Sequence, residues 1–146
     1  METEKYACLR LENQLCFPLY AASREILRKY TPFLKKLNLT YTQYIVMMVL
    51  WEEKKVTVGE LGKKLFLDTG TLSPLLKSME KKSLLKRTRD SVDERIVKIE
   101  ITEQGEFLKE KAVAIPKKVS ECVKLSPQEA KNLYKILYSI IQSSVD

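Results

Sequence analysis

A chain of 146 residues and 17.0 kDa is long enough for one domain with a sizeable core and too short for a two-enzyme fusion. It contains no histidine, which excludes Ser-His-Asp and Cys-His catalysis and every His-containing zinc or haem site, and its three cysteines, at 8, 16 and 122, leave a Cys-only metal site one ligand short. A net charge of +7 with 31% charged residues, only four Gly and five Pro argues against collagen-like, disulfide-framework and wholly disordered classes.

From Leu9 to Leu37 the apolar positions Leu11, Leu15, Leu19, Ile26, Tyr30, Phe33, Leu34 and Leu37 recur at helical spacings. This predicts one long helix, or two joined near Tyr30 to Pro32, with a kink at Pro18. Thr40 with Gln43 three residues on reads as a capping box opening a second helix, whose body, Tyr44 to Trp51, is apolar nearly all round and therefore buried. Thr57 with Glu60 repeats the box, and Val58, Leu61, Leu65 and Phe66 share one side of the next helix. Asp68-Thr69-Gly70 then starts a helix with Pro74 placed in its first turn. That helix directs Leu72, Leu75, Leu76 and Met79 inward and Thr71, Ser73, Lys77, Ser78 and Lys81 outward. Two extended runs, 84–89 and 95–102, flank Asp90 to Glu94; the second alternates with period two, so the pair reads as a β-hairpin. Thr102 to Gly105 begins a helix running to about Ala114, Pro116 breaks it, and Ser126-Pro127-Gln128-Glu129 opens a last helix to about Ser143 with Leu133, Ile136, Leu137, Ile140 and Ile141 in one stripe.

The excess charge is local. Residues 54–89 carry ten basic side chains against three acidic ones, whereas the other 110 residues balance, sixteen against sixteen. By itself such a patch suits a polyanion partner or a solubilising surface equally well. Its position decides between them. Two helices joined by a short turn, the second basic outside and followed by a hairpin, form a winged helix-turn-helix pattern, in which the second helix reads the major groove of double-stranded DNA and the wing tip, Arg89 to Arg95, reaches the adjacent minor groove. The fold class is therefore mainly α with a small β-hairpin wing. The first and last helices exceed what this unit needs for its own core, and their stripes predict a homodimer interface.

The longest apolar run, Tyr44 to Trp51, is eight residues, far short of the roughly 20 needed to cross a bilayer. The charged N-terminus has no signal core, so a cytoplasmic location with reduced thiols is expected, and no membrane partner. No Gly-x-Gly-x-x-Gly or P-loop pattern occurs, so neither a nucleotide cofactor nor an enzyme is expected. Cys16 and Tyr20, four residues apart, share a helix face. The pair fits a buried core contact, or a reactive thiol served by tyrosine hydroxyls, helix N-termini, Lys or Arg in the absence of histidine.

The runs LENQLCFPLYAASRE, LNLTYTQY, LWEEK, LGKKLFLDTGTLSPLLKSME and DERIVKIEITEQG, spread over residues 10–116, resemble the MarR superfamily, specifically its OhrR branch of organic-hydroperoxide-sensing repressors. The resemblance implies a single MarR-type domain over residues 1–146, with residues 40–102 as the winged helix-turn-helix and residues 9–37 and 103–146 as dimerisation helices. It places the peroxide-sensing cysteine on Cys16, the tyrosines that hydrogen-bond it on Tyr30 and Tyr41, and a further pocket tyrosine on Tyr20. It places DNA contacts on Thr69, Thr71, Ser73, Pro74 and Lys77 of the reader helix and on Asp93 and Arg95 of the wing. Lys81, Arg87 and Arg89 join them on the grounds of charge. Some members of the branch use a second, C-terminal cysteine, for which Cys122 stands in about the right region; others form a disulfide with a small-molecule thiol. The sequence departs from the family where Ser78 replaces a basic residue, where Ser83 replaces the glycine before the first wing strand, and at Pro18.

The function so implied is a repressor that binds operator DNA as a dimer and is released when an organic hydroperoxide oxidises Cys16. Two other readings differ in class: a MarR-type repressor that responds to a phenolic ligand, with Cys16 structural, and a thiol peroxidase in which DNA contact is incidental. The first loses its hydroperoxide response on Cys16→Ser, the second keeps its phenolic response, and the third requires sustained turnover with a dithiol.

Overall fold

The computed structural model describes residues 2–144. Contacts divide the chain into two compact units, Met1–Ile115 and Pro116–Asp146. The first opens with a single turn α1 (Glu2–Lys5) and two 3-10 turns, Ala7–Leu9 and Leu11–Asn13. These precede α2 (Cys16–Lys35), α3 (Tyr41–Glu53), β1 (Lys55–Thr57), α4 (Val58–Leu65), α5 (Thr69–Lys81), β2 (Leu85–Arg89), β3 (Val97–Ile101) and α6 (Glu103–Ala112). α7 (Ile115–Cys122) follows, and α8 (Pro127–Ser143) lies in the second unit.

Local chemistry explains most boundaries. The Thr40/Gln43 and Thr57/Glu60 capping boxes both form, as does a third at Ser126/Glu129 with Pro127 in the first turn of α8. Asp68 caps α5 by accepting the Thr71 amide at 2.7 Å. Prolines correct two expectations. Pro18 is the third residue of α2, where its missing amide is one of the first turn's unpaired donors, so no kink is needed there. Pro74 lies in the second turn of α5, not the first, and removes one interior bond of that helix. The predicted long helix also begins later than Leu9, at Cys16, and then runs unbroken through Tyr30 to Pro32. The helix expected to reach Ala114 ends at Ala112.

The core of the first unit is built around α3, which packs against α2, α4, α5, α6 and the sheet. Val46, Met47, Leu50, Leu61, Leu72, Leu76, Met79, Leu85 and Ile99 are fully buried; each such side chain contributes roughly 1.5–3 kcal/mol by leaving water. Trp51 closes one end by donating Nε1–H to the Gly105 carbonyl at 2.9 Å. Gly105 is a steric requirement, since a Cβ there would lie 2.4 Å from the Leu84 carbonyl oxygen. Met48 departs from the buried face predicted for α3 and is 45% exposed. Phe66 departs from the inward side of α4: it is the left-handed C-cap residue, φ 54°, and is 55% exposed, because the chain reverses there into the turn before α5.

The wing is a three-stranded antiparallel sheet of order β1-β3-β2, one strand more than the predicted hairpin. Val56 pairs with Ile99, Leu85 with Ile101, Arg87 with Ile99 and Arg89 with Val97. Lys55, Lys86 and Glu100 occupy the alternate face, with Lys55 and Glu100 in an ion pair at 3.3 Å.

Candidate functional site

α5 presents the expected outer surface. Thr69, Thr71, Pro74, Lys77 and Lys81 are exposed and Ser73 is half-buried, because Leu72, Leu76 and Met79 anchor the opposite side. A cleft of about 380 Å³ separates the N-terminal half of α5 from the wing, and Thr69, Ser73, Arg87 and Arg95 all line it, together with Thr57 and Val97. Residues 26 positions apart in the sequence thus face one space.

Two of its arginines are held by carboxylates. Strand alternation turns Arg87 toward α5, where Glu80 accepts its backbone amide at 2.8 Å, its Nε at 3.2 Å and its Nη2 at 3.1 Å. These bonds hold the Glu80 carboxyl below its ordinary pKa, the backbone bond foremost. At the tip, Asp93 accepts Nε and Nη2 of Arg95 at 3.0 and 3.1 Å, and the Arg95 side chain is 91% exposed. Arg89 donates to the Glu94 carbonyl at 2.9 Å.

The tip itself is tied by Asp90. Its carboxylate pairs with Lys98 at 2.5 Å and accepts the Val92 and Asp93 amides at 3.1 and 3.0 Å. The Lys98 bond leads these causes in lowering the Asp90 pKa to about 2. Glu80, Asp90 and Lys98 were absent from the residues singled out by sequence, although an acidic residue two positions before the Val92 amide is a recognisable turn signal. Ser78, expected outward, is half-buried and bonded to Gln43 at 3.3 Å.

A second candidate region surrounds α2. Cys16 is its first residue and is solvent-exposed, which rules out the core-cysteine placement within one chain. Tyr20, one turn on, is exposed, with the Arg24 guanidinium 5.5 Å from its ring centroid. Tyr30 and Tyr41 meet edge to face at 5.0 Å, and Tyr44, which the sequence reading left out, completes the cluster at 5.9 and 6.2 Å. Burial first, then the neighbouring Tyr30, raises the pKa of Tyr41 and of Tyr44, so both remain protonated hydrogen-bond donors at neutral pH. Tyr30 lies fourteen positions after Cys16 on one continuous helix, about 21 Å along its axis. The structure therefore does not bring Cys16 to Tyr30 within one chain. Cys122 is exposed at the end of α7, and Cys8 is exposed in the first 3-10 turn.

Large apolar side chains remain uncovered around Cys16, including Leu11, Leu15, Phe17 and Leu19, and along α8, including Leu133, Ile136 and Ile140. Among the described residues no helix is long and apolar enough to cross a membrane, and no cluster of His, Cys, Asp and Glu suits a metal ion.

Comparison with known proteins identifies the family. The profile of the family Transcriptional regulator SarA/Rot matches residues 28–112. The organic hydroperoxide resistance transcriptional regulator of Bacillus subtilis (strain 168) is 48% identical over 139 residues, 95% of either chain. The HTH-type transcriptional regulator SarZ of Staphylococcus aureus (strain USA300) is 43% identical over 136 residues, covering 93% of this chain and 92% of SarZ. The crystal structure of overoxidised AbfR bound to DNA, AbfR being a protein of Staphylococcus epidermidis, shares 34% identity and a TM-score of 0.77 over 99% of this chain and 100% of that one. These relatives are transcriptional regulators, not enzymes, and the chain belongs to the MarR superfamily of winged-helix transcriptional regulators, in the branch of the organic hydroperoxide resistance regulators.

Proposed function

We propose that this protein is a cytoplasmic, dimeric repressor that grips operator DNA through α5 and the wing and lets go when an organic hydroperoxide oxidises Cys16. Residues 40–102 form the DNA-binding part, and residues 9–37 and 103–146 the dimerisation helices. The observation that carries the reading is the placement of Cys16. It is exposed at the first turn of a 20-residue helix, open to a peroxide from solvent, and the uncovered apolar side chains around it suit lipid or aryl peroxides.

The separation of about 21 Å along α2 supports a sensor that the second copy completes. Tyr30 and Tyr41 donate to the Cys16 thiolate only across a dimer, where the uncovered apolar surfaces of α2 and α8 are buried. The thiolate attacks the terminal oxygen of the hydroperoxide. The O–O bond breaks, the alcohol leaves with a proton, and Cys16 becomes a sulfenic acid. Condensation with Cys122 or with a small-molecule thiol releases water and gives a disulfide. That AbfR is found on DNA in an overoxidised form supports the disulfide, rather than oxygen on sulfur alone, as the releasing event. The disulfide pulls Cys16 away from the tyrosines, and a small rotation of the subunits spoils the spacing of the two reader helices, which must span one helical turn of DNA, about 34 Å.

The test is release of a DNA duplex, selected by the reduced protein from random sequence, on adding cumene hydroperoxide, with thiol state read by mass spectrometry and non-reducing electrophoresis. The parent should release its DNA and Cys16→Ser should not. Release by the Ser variant, or release from a phenolic compound with Cys16 unmodified, overturns the reading.

A further inference from the structure

Gln43 stands between Tyr41 and Tyr44 on the first turns of α3 and is only 4% exposed. Its Oε1 accepts the Thr40 amide at 3.2 Å and the Lys82 Nζ at 2.9 Å, and its Nε2 donates to Ser78 Oγ at 3.3 Å. Lys82 Nζ also donates to the Asn38 carbonyl at 2.6 Å, in the corner between α2 and α3.

The bond to Thr40 belongs to the capping box and serves α3 alone. Those to Ser78 and Lys82 have another character. They run 35 and 39 positions along the chain, from the tyrosine-bearing turn to the C-terminal half of the reader helix and its cap. α3 and α5 already pack on each other directly, so the amide is not needed to join them. A buried amide that loses its partners is penalised, so the first turn of α3 cannot shift relative to α5 here without leaving Gln43 unpaired. Displacement of the first turn of α3 is therefore passed to α5 rather than absorbed between them.

We propose that Gln43 is a positioning residue that couples the Tyr30–Tyr41–Tyr44 cluster to the reader helix through Ser78 and Lys82. Ser78 thus serves transmission from inside the fold instead of contacting DNA. The inference rests on the reading above, in which the tyrosines respond to the state of Cys16.

The experiment uses the full-length protein with Ser78→Ala and Lys82→Met, separately and together, and Ser78→Thr, which keeps the hydroxyl. For each, the dissociation constant from the selected duplex is measured before and after cumene hydroperoxide, with Cys16 oxidation followed by intact mass. In Ser78→Ala the reduced form should bind within about threefold of the parent. Cys16 should oxidise fully in every variant. The ratio of oxidised to reduced dissociation constants should fall by at least about fivefold in Ser78→Ala and further in the double variant, and recover in Ser78→Thr. An unchanged ratio in the double variant overturns the inference, as does equal weakening of both states, which marks a merely structural role. A parent that stays on DNA with Cys16 fully converted to a disulfide overturns the repressor reading itself, an outcome visible without any variant.

Discussion

Neutralising Arg95 by Arg95→Gln tests the wing as a DNA contact. The side chain is 91% exposed, and Asp93 takes two of its N–H groups at 3.0 and 3.1 Å. Three of the five guanidinium donors remain for phosphate. An exposed pair of this kind contributes little to stability, so the urea midpoint should barely move. Binding should change much more. Each phosphate contact contributes about 0.9 to the slope of log K against log salt, and a dimer presents two wings, so the slope should flatten by about 1.8. Between about 50 and 200 mM salt the parent should therefore lose about twelvefold more affinity than the variant. Fluorescence anisotropy on the selected duplex at four or five salt concentrations measures it. Parallel slopes for parent and variant would refute the reasoning, because the wing would then neutralise no phosphate.

Ser83 has φ 61°, a left-handed conformation that disfavours any side chain, so Ser83→Gly should stabilise the protein by roughly 0.5–1 kcal/mol in urea unfolding. A loss of stability would mean that the serine side chain supports the turn. Gly105→Ala should destabilise by roughly 1–3 kcal/mol or more, since the new Cβ meets the Leu84 carbonyl, itself bonded to the Thr102 amide at 3.1 Å, and the Ile101 side chain at 2.8 Å; an unchanged melting temperature would contradict it. Asp90, with its pKa lowered to about 2, contributes stability that is complete above the ordinary carboxylate value of 3.8 and is lost as pH falls from there through 2. Wing amide protection should decline over that interval in the parent, and Asp90→Asn should lack that step; an identical profile would remove Asp90 as the tie. Replacing Ile136 and Ile140, both exposed on α8, by aspartate should convert a dimer to a monomer in sedimentation without unfolding α8. A variant that remains dimeric would place the interface elsewhere.

Features decided within about four residues were legible in the sequence. The capping boxes at Thr40 and Thr57 depend on side chains that reach their own backbone and formed as read, as did the helix starts at Asp68 and Ser126 and the period-two alternation of β3, which follows from strand geometry. The basic segment and the apolar side of α5 followed from composition and periodicity. Tertiary structure decided the rest. β1 is three residues long and owes its existence to Glu100, Ile99 and Lys98, more than 40 positions away. Arg87 looked like a free cation, but strand alternation delivers it to Glu80, and Ser78 looked exposed until Gln43 drew it inward. Cys16 and Tyr30 share one helix, yet that helix is what separates them. Local propensity determines which elements form, whereas which side chains meet is set by the packing of faces that only the assembled chain brings into register.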